Sequence, residues 1–234
     1  MLASLRDNYR IAKRTWKAWR GQELMFSPQV RSQTQTFGGP GAAWTICLDG
    51  LSSSSVVYSF GVGEEISFDL ELIRQTGARV HAFDPTPKSI AWVQANKFSP
   101  EFMFHPYGIA AEDGKRKFLP PVDPNHVSHT LLERDSPWPA VEAQVFRLRS
   151  IMQKLGHSKI DILKMDIEGA EYEVIADILR SNVAIDQLLI EFHHRWPEVG
   201  VEKTRNAIRD LNAVGYKIFS VSPSGEEYGF IKTN

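Results

Sequence analysis

Val56-Val57-Tyr58-Ser59-Phe60-Gly61-Val62-Gly63-Glu64-Glu65 reads as a short buried strand that runs into a glycine turn and on towards a helix. An apolar run bounded by glycine suits a strand covered on both faces, as in a parallel sheet. Gly61 and Gly63 permit unusual backbone angles and let a ligand approach the main chain. In open parallel sheets ligands bind beyond the carboxyl ends of the strands, where strand order reverses, so this loop is where a site is expected. A dinucleotide fingerprint would place a third glycine where this chain has Ile66, and a pyrophosphate at the helix N-terminus. Glu64 and Glu65 hold that end instead. They repel a pyrophosphate, suit a ligand bearing an ammonium and a sulfonium, and would also complement the helix dipole.

Downstream, strands and helices alternate. A helix is expected over 65–75, closed by Gly77, then a strand over 79–83 and a helix over 85–96. An apolar run lies within 101–110, and 116–119 reads as an added strand. Residues 119–139, with their prolines and His126 and His129, read as an insertion loop. The pattern resumes with a strand at 145–148, a helix near 150–155, a strand at 160–165 and a helix at 170–179. A strand at 185–192 and a helix at 201–213 follow. Two last strands, 216–221 and 228–232, flank Ser222-Pro223-Ser224-Gly225 and read as a hairpin. The sum is an α/β domain with a mostly parallel sheet and an antiparallel edge.

Upstream the text differs. Arg6, Arg10, Lys13, Arg14, Lys17 and Arg20 face the single acid Asp7, and Leu2, Leu5, Tyr9, Trp16 and Trp19 recur near helical spacing. Such a basic helix suits an anionic membrane surface, packing across the core as a lid, or a protein partner. Residues 27–55, rich in Ser, Gln, Gly and Pro, read as an irregular lead-in with a short strand at 44–48. The lone Cys47 excludes an internal disulfide and reads as a small buried side chain in a reducing compartment. A 42% hydrophobic and 24% charged composition is that of a globular chain, and a net charge of -1 argues against a dedicated nucleic-acid binder. No apolar stretch reaches the ~20 residues of a membrane span and no secretory signal is evident, so the cytoplasm is the default expectation.

Two further clusters carry chemistry. Asp84 follows the strand over 79–83, about twenty residues beyond the glycines, where an acid accepts hydrogen bonds from ribose hydroxyls; a helix cap ahead of Pro85 is the plainer role. Lys164-Met165-Asp166-Ile167-Glu168-Gly169-Ala170-Glu171 stands where an apolar strand meets a helix. Three acids and a lysine there are costly to bury unless paired or used. For Glu168 and Glu171 the plainer roles are pairing with Lys164 or capping the helix that follows.

This run resembles the K-x-D-x-E-G-x-E signature of the FkbM family of S-adenosylmethionine-dependent methyltransferases. The likeness extends over 56–195 and takes in the glycine loop, Phe83-Asp84-Pro85, Gly108-Ile109-Ala110 with Asp113-Gly114, and Glu191-Phe192-His193. It implies a Rossmann-like class I methyltransferase with a seven-stranded sheet over 56–234, preceded by the basic helix and lead-in of 1–55. It also implies that Gly61, Val62 and Gly63, with Glu64 or Glu65, hold the methionine end of S-adenosylmethionine. Asp84 would then hold the ribose, Ile109 would lie beside adenine, and Asp166 would stand near the transferable methyl. Characterised members mostly methylate hydroxyls, so a glycan or small-molecule acceptor is implied. Ser59-Phe60 stand where the family usually has an acid ahead of the first glycine.

Methyl transfer to a hydroxyl needs an aligned nucleophile and a base for its proton. Asp166, Glu168 and His193 are the candidates, and a histidine has the better unperturbed pKa. Asp166, Glu191 and His193, from the ends of neighbouring strands, are placed to meet at a divalent metal, as are His126 and His129; neither set is a ligand motif, and a metal is not favoured. An NAD-linked oxidoreductase and a non-catalytic binding module are the competing readings.

Overall fold

The computed structural model describes residues 2–119 and 139–233, the side chains of 2–8 and 10 excepted. The insertion loop with His126 and His129 therefore lies almost wholly outside the described residues, as do the side chains of Leu2, Leu5, Arg6, Asp7 and Arg10.

Four strands that read as apolar runs form the middle of the sheet: β3 (Val56–Phe60), β4 (Arg79–Phe83), β9 (Lys159–Met165) and β10 (Ala184–Glu191). With β5 (Phe102–His105), β11 (Tyr216–Val221) and β12 (Glu227–Lys232) they give the order β11-β12-β10-β9-β3-β4-β5. The five strands from β10 to β5 are parallel, and β12 inserts antiparallel between β10 and β11. After β3 the chain adds strands outward through β4 and β5, and it then returns to place β9 on the other side of β3. Strand order thus reverses between β3 and β9, where a ligand crevice is expected.

Alternation along each strand feeds two cores. Tyr58, Leu163 and Leu188 face one side, where α4 (Leu148–Leu155), α5 (Glu171–Ser181) and α6 (Gly200–Ala213) bury Ile151, Ile175 and Ile208. Val57, Ile162 and Leu189 face the other, covered by Phe68 and Leu72 of α2 (Ser67–Thr76) and flanked by Trp92 of α3 (Pro87–Ala95). The lead-in is less irregular than its composition reads. It forms a hairpin of β1 (Thr34–Phe37) and β2 (Trp44–Cys47) that adds Phe37, Trp44 and Ile46 to this second core. Gln187 ties the hairpin to β10 through both polar atoms of its amide, to the Cys47 carbonyl and N–H. Cys47 is buried, and burial raises its thiol pKa.

A second sheet departs from the expected outline. β6 (Gly108–Ile109), β7 (Gly114–Phe118) and β8 (Val141–Phe146) pair in the order β6-β8-β7. The strand expected at 145–148 ends at Phe146, because Leu148 already opens α4 and is buried beneath it. The helix expected from Glu65 begins at Ser67, whose N–H donates to Glu65 Oε1 at 2.8 Å.

The N-terminal segment is helical, α1 (Leu2–Trp19). Its one buried described side chain is Arg14, which donates to the Leu24, Ser222 and Pro223 carbonyls and so anchors α1 to the β11–β12 turn. Tyr9, Trp16 and Trp19 stay exposed. No helix among the described residues is long and apolar enough to cross a membrane.

Candidate active site

Loops at the carboxyl ends of β3, β4, β9 and β10 converge around a cavity of about 300 Å³. The loop after β3 comes first. Gly61 has φ 74°, and an ideal Cβ there would overlap the carbonyl oxygen of Asp166, so only glycine lets the β3 and β9 loops pass this closely. Gly61 N–H donates to the Phe83 carbonyl and Asp166 N–H to that of Phe60, which locks three strand ends together. Val62 is buried, Glu64 pairs with Lys88 at 3.1 Å, and Glu65 caps α2.

Asp84 joins the first loop to the second. Its Oδ2 accepts from Gly63 N–H at 2.9 Å, while Oδ1 accepts from the N–H and hydroxyl of Thr86 at 2.9 and 2.6 Å. It thus braces the turn ahead of α3, whose N-cap is Thr86, and ties the two loops together without itself capping the helix. With about two lone pairs per oxygen, Oδ1 is filled and Oδ2 keeps one acceptor site. Ile109 and Gly108 line the apolar side with Phe83 and Phe118.

The acidic run forms the third wall. Asp166 leaves β9 directly, and the chain then turns through Glu168 at φ 53° and Gly169 at φ 95° before α5. A left-handed glutamate costs of order 1–2 kcal/mol and fits a side chain held in place for use. Parallel pairing of Met165 with Ile190 brings Asp166 beside Glu191. His193 follows two residues later and faces both loops. Its Nδ1 is 2.8 Å from Glu171 Oε1, and its Nε2 is 3.4 Å from Glu168 and 3.8 Å from Asp166.

The electrostatics follow from this crowding. Burial, then repulsion from Asp166, pushes Glu191 up to about 9. Burial likewise raises Asp166, against the attraction of Lys164 and His193. For His193 burial opposes the charge, but Glu171, Glu168 and Asp166 outweigh it and push the imidazole up to about 10. The neutral-pH base that an unperturbed histidine would supply is therefore not what this environment makes; His193 carries the positive charge among the carboxylates.

Sequence reasoning missed several groups that the fold brings in. Trp44 comes from β2, and Lys164 Nζ sits 5.1 Å from its ring centroid. Asp69 of α2 and Glu227 of β12 add two more carboxylates to the lining. Glu171 faces His193 rather than Lys164, and its Oε1 also accepts from Gly169 N–H at the start of α5. The only signal for these partners in the sequence was an excess of acids near strand ends. None of the described side chains of α1 lines the cavity.

The sequence pattern of the family described as "Methyltransferase FkbM domain" matches residues 56–218. The probable methyltransferase-like protein 24 of Homo sapiens is 28% identical over 180 residues, covering 70% of this chain and 42% of that one. The Rattus norvegicus protein of the same name is 29% identical with the same coverage. The chain thus spans less than half the length of these relatives. Among solved structures, the methyltransferase FkbM of Methylobacillus flagellatus KT is similar at 16% identity and a TM-score of 0.48, over 77% of this chain and 44% of that one. Aeropyrum pernix fibrillarin, solved with natively bound S-adenosyl-L-methionine, is similar at 10% identity and a TM-score of 0.43, over 86% and 83%. The match over 56–218, with the acidic run of Lys164–Glu171 at the cavity wall, makes the chain a member of the FkbM methyltransferase domain family.

Proposed function

We propose that this chain transfers a methyl group from S-adenosylmethionine to a hydroxyl of a glycan or small metabolite. The observation that carries the reading is one cavity at the strand-order reversal, lined at one end by the glycine loop and Asp84 and at the other by Asp166 and Glu168.

The lining fits the cofactor chemically. Its charged side chains are acids but for Lys164, which suits an ammonium and a sulfonium, and Phe83, Ile109 and Phe118 give adenine an apolar slot. Asp166 Oδ1 is buried without a hydrogen-bond partner, a cost of about 1–3 kcal/mol that a bound ligand would relieve. In this assignment the main chain of Gly61, Val62 and Gly63, with Glu64 and Glu65, holds the methionine end. Asp84 Oδ2 accepts from the ribose, and Ile109 packs beside the adenine. S-adenosylmethionine supplies a methyl group on a cationic sulfur.

The chain's own residues do the rest. In this reading Asp166 accepts a hydrogen bond from the acceptor hydroxyl, and a carboxyl raised by burial is a better base than an exposed one. Glu168 flanks it, and His193, held by Glu171, keeps the local charge from becoming prohibitive. The test is incubation with methyl-labelled S-adenosylmethionine and a panel of hydroxyl-bearing sugars and metabolites. An O-methyl ether on any of them supports the reading. Methylation confined to nitrogen or carbon acceptors overturns the acceptor class.

A further inference from the structure

From the meeting of Asp166, Glu191 and His193 we infer a divalent-cation site at the acceptor end of the cavity. One ligand atom from each lies within 4.8 Å of the other two. Cis donors around a six-coordinate cation at ~2.1 Å stand about 3 Å apart and trans donors about 4.2 Å, so the three atoms stand close to the spacing of donors on one cation.

The three donors do not converge by accident of flexible surface chains. Asp166 and Glu191 extend two parallel strands whose preceding residues, Met165 and Ile190, are paired. His193 sits on the same strand end as Glu191 and is over nine-tenths buried. Its Nδ1 is committed to Glu171, itself fully buried, at 2.8 Å. A ligating histidine typically holds a carboxylate in this way through its other nitrogen, and the cation would replace the proton that Nε2 otherwise carries among these carboxylates. Here Nε2 points at carboxylate oxygens 3.4 and 3.8 Å away, beyond the reach of a good hydrogen bond. A second observation points the same way: Asp166 Oδ1 is shielded from solvent and makes no hydrogen bond, although the side chain as a whole is 30% exposed.

Two carboxylates and one imidazole suit magnesium or manganese better than a thiolate-seeking metal. Three protein donors leave coordination positions open on the cavity side, where Asp166 and Glu191 are lining residues. The open positions fit the oxygens of an acceptor with neighbouring hydroxyls, whose acidity the cation would raise. That last role rests on the methyl-transfer reading; cation binding itself does not.

Manganese serves as the probe because its free ion is counted directly by electron paramagnetic resonance. Titrated into the full chain without cofactor, manganese should saturate one site per chain. Asp166→Asn, Glu191→Gln and His193→Gln should each weaken that site at least tenfold, and Glu171→Gln, which touches only the histidine, about tenfold. Circular dichroism and urea midpoints report whether each variant is folded. No saturable binding up to millimolar manganese overturns the site, as does binding that all four folded variants retain unchanged. Manganese binding without adenosylhomocysteine binding supports the cation site while contradicting methyl transfer; the reverse result does the opposite.

Discussion

Gly61 and Asp166 stand so close that a Cβ on the glycine would overlap the aspartate's carbonyl oxygen. The contact joins the two loops that carry the site, and Gly61 also needs φ 74°. Gly61→Ala should therefore destabilise the fold by about 2–4 kcal/mol, combining left-handed strain with a forced shift of the β9 loop. Chemical denaturation measures it. A loss under about 0.5 kcal/mol would show that the loops move apart freely and that the close approach does not organise the site.

Asp84 holds Gly63 and Thr86 in place and keeps one free acceptor site. Asp84→Asn should weaken binding of S-adenosylhomocysteine ten- to a hundredfold and lower stability by about 1–3 kcal/mol, because amide hydrogens replace one oxygen's lone pairs. Calorimetry reads the first and denaturation the second. Unchanged affinity would remove the ribose from Asp84.

Two groups lose their contribution to stability in acid, at separate stages. Burial, with the charges of His105, His157 and Arg79, pushes His81 down from 6.5 to about 4. For His81 the unfolded chain binds more protons, so its contribution falls as pH drops from about 6.5 to 4, while Glu191, raised to about 9, works in the opposite sense down to about 4.5. Glu23 adds a lower stage. Burial alone would raise it, but hydrogen bonds from His194, Leu24 N–H and Arg195 outweigh burial and hold it at about 2 instead of 4.5. Its contribution is present above about 4.5 and lost as pH falls towards 2. Urea midpoints across pH 7 to 3 should show the upper limb as a difference between the unsubstituted chain and His81→Asn, and Glu23→Gln should flatten the lower one. An NMR titration in which the His81 ring charges near pH 6.5 would contradict the upper assignment.

Arg14 fastens α1 to the β11–β12 turn, and its guanidinium fills the space where a Cβ on Gly225 would lie. Arg14→Ala should raise hydrogen exchange and proteolytic cutting along α1 while leaving adenosylhomocysteine affinity within twofold. A large loss of affinity would mean that α1 reaches the cavity after all.

Strands β3, β4, β9 and β10 were legible because burial on both faces demands continuous apolar runs. β1 was not, since Thr34, Gln35 and Thr36 are exposed and the strand earns its place only through the buried Phe37. The site divides along the same line. Gly61, Asp84 and Asp166 announce themselves by standing just past apolar runs. The partners that set their chemistry lie far off in sequence: Lys164 with Trp44, Glu171 with His193, and Glu227 from the last hairpin. No local pattern encodes such pairs. That is also why His193 reads from the sequence as a base and sits in the fold as a charged partner of carboxylates.

The central claim is that the acid-lined cavity between β3 and β9 takes a sulfonium nucleoside. Calorimetric titration of the full chain with S-adenosylmethionine, S-adenosylhomocysteine and NAD tests it most directly. The account predicts saturable one-to-one binding of the first two and none of the third, with Asp84→Asn weakening both. Binding of NAD with no response to either adenosyl compound would contradict it.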